Sequence, residues 1–210
     1  MTAGAPSLLD LPAGELLERF ASSQPTPGGG SAAALAGALG AALAAMVCAM
    51  PKTRTGAAEE RARLDAALGQ GQQAGSRLRQ LVDEDTAAYE AVLAAYRMPK
   101  GSEEEKAERK SAVDRAMERA TAMPLETAKA CVTVLDAAVE AAAHGNANAL
   151  SDARTAGALA LAGLLGAVEN VRINAQPDSE FLQTASLLRQ RALTRAGDLG
   201  LVGPQSSIIR

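Results

Sequence analysis

The uncharged stretch GGGSAAALAGALGAALAAMVCAM, residues Gly28–Met50, decides the fold of this chain. From Ser31 to Met50, ten of the twenty residues are Ala and two are Gly. Ala is the strongest helix former and Pro51 ends the stretch, so the sequence predicts one helix over Ser31–Met50. Small residues recur at every fourth position and leave a flat stripe that another helix backbone can approach: Ala33, Gly37, Ala41 and Ala45.

A membrane span is the competing interpretation of this stretch, because a bilayer-crossing helix also needs about twenty apolar residues. The stretch contains Leu only at positions 35, 39 and 43, and Ala and Gly drive membrane insertion weakly. Residues Met1–Asp10 lack the basic start and apolar run of a signal peptide. We therefore expect a cytoplasmic protein in which this helix is buried in a soluble bundle or in a dimer interface.

Composition narrows the possible functions. The 210 residues include 49 Ala and 19 Gly but only four aromatic residues, and sheets deplete Ala and Gly, so an all-β fold is excluded. A net charge of −3 and the shortage of aromatic rings disfavour nucleic-acid binding. Cys48 and Cys131 lie in apolar helical contexts and are expected to be buried free thiols. With His144 as the single histidine, no metal site is expected.

Apolar spacing predicts further helices on both sides of this stretch. Pro124 is expected to interrupt the helical structure between two of them. The pattern predicts an all-α, compact, bundle-like single domain over residues 1–210, with two buried Ala/Gly-rich helices, a core over 8–197 and a tail over 198–210. The other predicted helices are Leu8–Ala21, Ala57–Arg97, Ser102–Ala122, Leu125–Ala143, Ala153–Ile173 and Asp178–Ala196.

The triple glycine is the first candidate site. Free backbone N–H groups and the positive end of the dipole attract anions to a helix start, and Gly28, Gly29 and Gly30 permit close approach of a ligand. The alternative is a flexible connector with Ser31 as the helix cap. Because no Gly-Lys-Ser/Thr follows, the stretch is not a P-loop.

An acidic cluster, Asp83-Glu84-Asp85, is the second candidate. Asp85 and Tyr89 are four residues apart, so they share a helix face with the apolar stripe. A carboxylate beside a core face has a raised pKa and suits proton transfer. For Asp83 and Glu84 a solvated acidic turn is the favoured interpretation.

Two further polar groups accompany apolar helices. Asn146 and Ser151 lead into a helix whose first turn holds Asp152, which also suits the helix dipole. Asn170 and Asn174, four residues apart, either bind neighbouring chain ends or hold a polar ligand. The residues alone leave both alternatives open.

The motifs together resemble the cyclodeaminase/cyclohydrolase family, which includes the C-terminal domain of formiminotransferase-cyclodeaminase and stand-alone methenyltetrahydrofolate cyclohydrolases. The resemblance runs in order from about Leu8 to about Gly197. It implies an all-α homodimer that takes a tetrahydrofolate derivative as substrate and holds no permanently bound cofactor. The motifs that carry it are Ser22–Ala34, Glu84-Asp85 with Tyr89, Gly145-Asn146, Ser151-Asp152 and Asn170-Val171 with Asn174.

The resemblance also implies roles for these residues. In 5,10-methenyltetrahydrofolate the bridging carbon belongs to a cationic amidinium, and a carboxylate can take the proton of the attacking water. Asp152 and Asp85 would form the acid/base pair, with Ser151 and Asn146 orienting them. The implied substrate-binding residues are Gly28, Gly29, Gly30, Ser31, Tyr89, Asn170 and Asn174, together with Lys52 and Arg54, which stand where the family carries Gly-Lys-Lys.

Hydrolysis of 5,10-methenyltetrahydrofolate to 10-formyltetrahydrofolate is the leading functional prediction. The alternative is formimidoyltetrahydrofolate cyclodeaminase activity, in which N10 attacks the formimino carbon and ammonia leaves. An alternative of another class is a catalytically silent helical dimer that binds a folate-like ligand or a partner. In each case the expected partners are a small folate molecule and a second copy of the chain, with neither nucleic acid nor membrane.

Overall fold

The computed structural model describes residues 7–203, which form helices and no strand, so the all-α prediction is confirmed. Residues 1–6, part of the segment that lacks signal-peptide features, lie outside the described residues. Residues 204–210 of the predicted tail also lie outside them. Single 3₁₀ turns cover Leu8–Asp10 and Ala147–Ala149. The α-helices are α1 Ala13–Ala21, α2 Gly29–Ala49, α3 Ala58–Tyr96, α4 Glu103–His144, α5 Leu150–Asn174 and α6 Glu180–Asp198.

Helices α2, α3, α4 and α5 form a four-helix core, in which each packs along its neighbours and α6 covers α4 and α5. Helices α2 and α5 run antiparallel and meet backbone to backbone. A Cβ on Gly163 would lie 2.6 Å from the carbonyl oxygen of Ala33, and one on Gly40 would lie 2.7 Å from that of Ala156. The small residues of both helices therefore set their close approach, as the recurring stripe predicts.

Helices α2 and α5 each bury one side and expose the other. By length and composition alone, Gly29–Ala49 and Ala147–Asn174 could cross a membrane, and about half of each apolar segment is buried against other helices. The core helices of soluble proteins pass the same test. On the outer side of α2, Leu39 is 53% exposed and Met46 is 42% exposed.

The predicted break at Pro124 is wrong, because α4 continues through it. A proline inside a helix leaves the carbonyl four residues earlier without its N–H partner. Here that carbonyl belongs to Ala120, and the side-chain Nδ2 of Asn174 donates to it at 2.8 Å. A side chain from α5 thus replaces the missing backbone hydrogen bond, which no local sequence pattern can reveal.

The first predicted helix is interrupted, and both cysteines are buried. Pro12 separates the Leu8–Asp10 turn from α1, so Leu8–Ala21 is not one helix. Cys48 and Cys131 are free thiols in the core, as predicted. Burial raises the pKa of Cys48 to about 11 and that of Cys131 to about 12, so both remain protonated and unreactive near neutral pH.

Candidate functional site

The start of α2 receives the carboxylate of Asp85 from α3. A Cβ on Gly30 would overlap this carboxylate, so only glycine allows the contact. The Ser31 hydroxyl donates to Asp85 Oδ2 at 3.3 Å, and the Ser31 backbone N–H also lowers the pKa of this carboxyl. Because the capping residue of α2 is Gly28, which has no side chain, Asp85 supplies the missing acceptor from another helix.

The environment of Asp85 favours a proton-transfer role. Burial raises the pKa of its carboxyl above the usual range, while the hydrogen bonds from Ser31 oppose that rise. Ser31 is fully buried, and its hydroxyl also lies 3.2 Å from Thr86 Oγ1. Tyr89, one turn later on α3, is 40% exposed. Thr86 was not predicted, and a hydroxyl next to the acidic cluster is the one signal that could have found it.

The two asparagines of α5, Asn170 and Asn174, differ in their hydrogen-bond partners and in their distance from the glycine loop. Asn170 lies beside the glycine loop, since a Cβ on Gly29 would lie 3.6 Å from Asn170 Nδ2. That amide donates to the Gly166 carbonyl at 2.8 Å and keeps its oxygen available. Asn174, in contrast, is bonded to α4 as described above. The structure therefore brings Asn170 to the loop and gives Asn174 a structural partner.

Asp83 and Glu84 are not a solvated acidic turn. Asp83 accepts hydrogen bonds from the Ser7 hydroxyl at 2.6 Å and from the backbone N–H of Leu8 at 2.9 Å. Glu84 accepts two hydrogen bonds from Arg77, which hold the pKa of its carboxyl below the usual range. Asp83 thus holds the N-terminal segment, and Glu84 binds Arg77 of its own helix, which also binds Glu126 of α4. Of the three acidic residues, Asp85 is the one that contacts the glycine loop.

The second group of predicted residues gathers where α5 begins. The Asn146 side chain accepts from the backbone N–H of Asn148 at 3.0 Å and shapes the turn before α5. Ser151 is exposed and Asp152 is half-buried in the first turn of the helix. A free carboxylate and a hydroxyl are therefore available at this helix start.

Lys52 and Arg54 follow the end of α2 and lie near this second group. The backbone N–H of Arg54 donates to the His144 carbonyl at 2.8 Å, and its guanidinium bonds the Ala142 carbonyl. Arg54 therefore stabilises the C-terminus of α4, a role that the sequence did not suggest. Lys52 is exposed.

The predicted site residues thus form two groups at opposite ends of the α2–α5 pair. The glycine end comprises Gly28–Ser31, Asp85, Tyr89 and Asn170; the serine end comprises Lys52, Arg54, Asn146, Ser151 and Asp152. Gly145 packs against Val47, whereas Asp85 packs against Gly30. Gly30 and Val47 are seventeen positions apart, which is about 25 Å along the helix. Within one chain, Asp85 and Asp152 therefore lie at opposite ends of the pair, because antiparallel helices start at opposite ends, and their acid/base pairing stays a prediction.

A groove at the glycine end could hold part of a ligand. It has a volume of about 560 Å³ and lies between the N-terminal segment and α3, with Arg19, Pro27 and Thr86 in its lining. A larger groove of about 720 Å³ follows α6, but the described residues that line it carry no charge, so we assign the chemistry to the glycine end. Residues 7–203 contain no group of three or more His, Cys, Asp or Glu side chains that could hold a metal ion.

The chain is similar to enzymes of folate one-carbon chemistry. The profile of the family described as formiminotransferase-cyclodeaminase matches residues 12–188. A methenyltetrahydrofolate cyclohydrolase of Methylorubrum extorquens is 39% identical over 185 residues, which cover 87% of this chain and 89% of that protein. The formimidoyltransferase-cyclodeaminase of Sus scrofa is 34% identical over 196 residues; these are 90% of this chain but 36% of that longer protein.

A solved structure shares the fold. The formiminotetrahydrofolate cyclodeaminase of Thermotoga maritima superposes with a TM-score of 0.74 at 25% identity, over 92% of this chain and 94% of that one. The likeness covers nearly the whole of both chains.

Proposed function

Because this chain belongs to the formiminotransferase-cyclodeaminase family, we propose that it hydrolyses 5,10-methenyltetrahydrofolate to 10-formyltetrahydrofolate. It is an enzyme of the cyclohydrolase/cyclodeaminase type. Cyclohydrolase activity is preferred because the relative with that name is 39% identical and matches over 89% of its own length, whereas the cyclodeaminase relative is 34% identical and matches over 36% of its length. The observation that carries the proposal is the Asp85 carboxylate, lodged over Gly30 at the start of α2.

The reaction begins with water adding to the bridging carbon. As the C–O bond forms, Asp85 accepts the proton of the water, and its raised pKa makes it a stronger base than an ordinary surface carboxylate. Ser31 orients this carboxylate through its hydroxyl. The cationic carbon is drawn to the site by the negative charge on Asp85, so binding and base catalysis depend on the same group.

The ring then opens. The bond between the former bridging carbon and N5 breaks, a proton is delivered to N5, and the hydroxyl on carbon loses its proton to become the formyl oxygen of the N10 product. The step needs an acid and a base. We assign the second carboxyl group to Asp152 of the other copy in a homodimer, because Asp152 of the same chain lies at the opposite end of the α2–α5 pair. Ser151 and Asn146 would shape its surroundings. Asn170 and the Gly28–Gly30 backbone would contact the pterin.

Cyclodeaminase activity is the second candidate, supported by the names of several relatives and of the solved structure. Both reactions pass through a tetrahedral carbon between N5 and N10, so one site could perform either. We further propose that the enzyme acts in the cytoplasm as a homodimer, with a folate substrate and no resident cofactor. The free buried thiols Cys48 and Cys131 agree with a reducing compartment.

Paired assays test the function. Purified protein should accelerate loss of the methenyl chromophore well above the rate in buffer alone, and should release little ammonia from 5-formiminotetrahydrofolate. Dominant ammonia release would replace the proposal with the cyclodeaminase. Neither activity, with folate binding retained, would support the catalytically silent alternative.

A further inference from the structure

The Ser31 hydroxyl has two hydrogen-bond partners but a single hydrogen. Its oxygen lies 3.3 Å from Asp85 Oδ2 and 3.2 Å from Thr86 Oγ1. An ionised carboxylate can only accept hydrogen bonds, so Ser31 donates to Asp85 and has no hydrogen left for Thr86. Thr86 is therefore the donor in the second contact. The three groups form a hydroxyl chain that runs in one direction, from Thr86 through Ser31 to Asp85.

Thr86 differs from other threonines in the helices of this protein. A helical threonine often donates its hydroxyl hydrogen to the backbone carbonyl four residues earlier. Five threonines of α4, α5 and α6 form this bond: Thr121, Thr127, Thr133, Thr155 and Thr194. Among the hydrogen bonds of residues 7–203, the Thr86 hydroxyl is bonded to Ser31 and not to the Val82 carbonyl. The Thr86 hydrogen is thus directed to another helix.

Burial makes Ser31 dependent on this donor. Ser31 is fully buried, so water cannot take the place of a missing partner. Hydrogen bonds in a chain polarise one another, and a hydroxyl that accepts a hydrogen bond becomes a stronger donor. Hydrogen bonds to an ionised acceptor are also stronger than those between neutral groups. The contribution of Thr86 should therefore be largest when Asp85 carries its charge.

The charge state of Asp85 depends on Ser31 more than on charged neighbours. Burial raises the pKa of this carboxyl, and the groups that lower it belong to Ser31. Helix α2 has no charged residue. Charged side chains of the neighbouring elements are held by other partners: Asp83, Glu84, Arg19, Glu169 and Arg172. Glu90 lines the groove at the glycine end together with Thr86.

We propose that Thr86 is a positioning residue for the general base: its hydroxyl donates to Ser31 and so directs the Ser31 hydrogen to Asp85. In this role Thr86 touches no reacting atom. It helps to keep the buried carboxylate in the ionised form that accepts a proton from water. The catalytic consequence rests on the proposed function, whereas the hydroxyl chain is a property of the fold. Because Thr86 also lines the groove, the competing role is direct contact with the substrate.

Titration of Asp85 tests the chain without an activity assay. The carboxyl carbon of Asp85 is followed by NMR against pH and is assigned from its loss in Asp85→Asn. In Thr86→Val, which keeps the shape but lacks the hydroxyl, the midpoint should rise by about 10–30% of the rise in Ser31→Ala. Thr86→Ser, which keeps the hydroxyl, should titrate like wild type. Thr133→Val is the matched control, because the Thr133 hydroxyl donates within its own helix, and its midpoint should not move. An unmoved midpoint in Thr86→Val, or an equal rise in Thr86→Ser, would overturn the inference.

A double-mutant cycle tests whether Thr86 acts through Ser31. In a Ser31→Ala background the chain is already broken, so adding Thr86→Val should move the Asp85 midpoint no further. The acid side of the pH–rate profile should also stay where Ser31→Ala places it. If Thr86→Val causes the same rise in both backgrounds, Thr86 acts on Asp85 independently of Ser31 and the inference fails.

Kinetics separate positioning from substrate contact. Thr86→Val should lower kcat at acidic pH, approach wild-type kcat at alkaline pH and leave KM unchanged, and Thr86→Ser should restore the profile. A KM raised at every pH, with the Asp85 midpoint unmoved, would make Thr86 a substrate contact and overturn the inference. If wild type lacks methenyl hydrolysis but the midpoints move as described, the proposed function fails while the positioning of Asp85 by Thr86 stands.

Discussion

The glycine end and the serine end are both helix starts, yet their carboxylates differ in origin and in hydrogen bonding. At the glycine end, Asp85 comes from another helix, is largely desolvated and caps α2 through Ser31. At the serine end, Asp152 lies in the first turn of its own helix and accepts no such capping bond, while Asn146 and Arg54 stabilise the surrounding turns. Asp85 therefore combines a structural role with its proposed chemical role, whereas Asp152 has only the proposed chemical role.

The largest effect is expected from Asp152→Asn. Removal of a proton-transfer group should lower turnover by roughly 10²–10⁴-fold. Stability should change little, because the favourable charge at the start of α5 contributes only about 0.3–1 kcal/mol. Turnover and thermal melting are measured together. Asp114→Asn is the control, since its exposed carboxylate makes only a surface pair with Lys110. Near-wild-type turnover in Asp152→Asn would remove it from the mechanism.

Asp85→Asn should cost activity to a similar extent and stability as well. The Asn side chain retains one oxygen but loses the charge that faces the first turn of α2, so we expect about 0.5–2 kcal/mol of destabilisation. Denaturant unfolding of both variants gives the difference. Equal stability of Asp85→Asn and Asp152→Asn would show that the two ends are not distinguished by capping.

Asn174→Ala sharpens the contrast within α5, between an asparagine beside the loop and one bonded to α4. Loss of the donor leaves the Ala120 carbonyl unsatisfied and should cost about 1–3 kcal/mol, with turnover of the folded fraction retained. In a Pro124→Ala background, residue 124 regains its N–H and can donate to Ala120, so the same change should cost less. An equal loss of stability in both backgrounds would contradict the inference that Asn174 replaces the missing backbone hydrogen bond.

Much of the fold follows from local pattern. The helix predicted over Ser31–Met50 is observed at Gly29–Ala49, and the last helix is observed within two residues of its predicted ends. Propensity, capping and turn residues are local signals, so they place such boundaries well. Pro124 failed as a break because its compensation comes from Asn174, fifty residues later in the chain.

The sequence predicted which residues belong to the candidate site but not how they are arranged in space. Gly30 and Asp85 meet because α2 and α3 pack together, which no spacing rule contains. Asp152 was expected beside Asp85 because the family resemblance implied that the two form an acid/base pair. Yet two helices that pack antiparallel must begin at opposite ends, and that topological fact separates Asp152 from Asp85 in one chain.

Ser31→Ala tests the pKa relation at the glycine end. The Ser31 hydroxyl favours the ionised form of Asp85, so its removal should raise the pKa of that carboxyl further. A general base is active when ionised, and the acid side of the pH–rate profile should therefore move to higher pH. At alkaline pH the variant should approach wild-type turnover. Thr86→Val serves as a comparison, because its hydroxyl contacts Ser31 and should give a smaller shift. A profile that is lowered without a shift would leave Ser31 a packing residue.

The smallest effect on turnover is expected from Glu60→Gln, at the serine end. Hydrogen bonds from Thr53, Thr55 and Gly56 lower the pKa of Glu60 from 4.5 to about 2 and fasten the loop that carries Arg54. A lowered pKa stabilises the folded state above the ordinary value of 4.5, and this contribution disappears as pH falls from there to about 2. The variant should therefore melt earlier than wild type at pH 7, and the gap should close near pH 2. Glu59→Gln, an exposed neighbour, should show no such gap, whereas a gap independent of pH would mean that the loop depends on packing and not on the charge of Glu60.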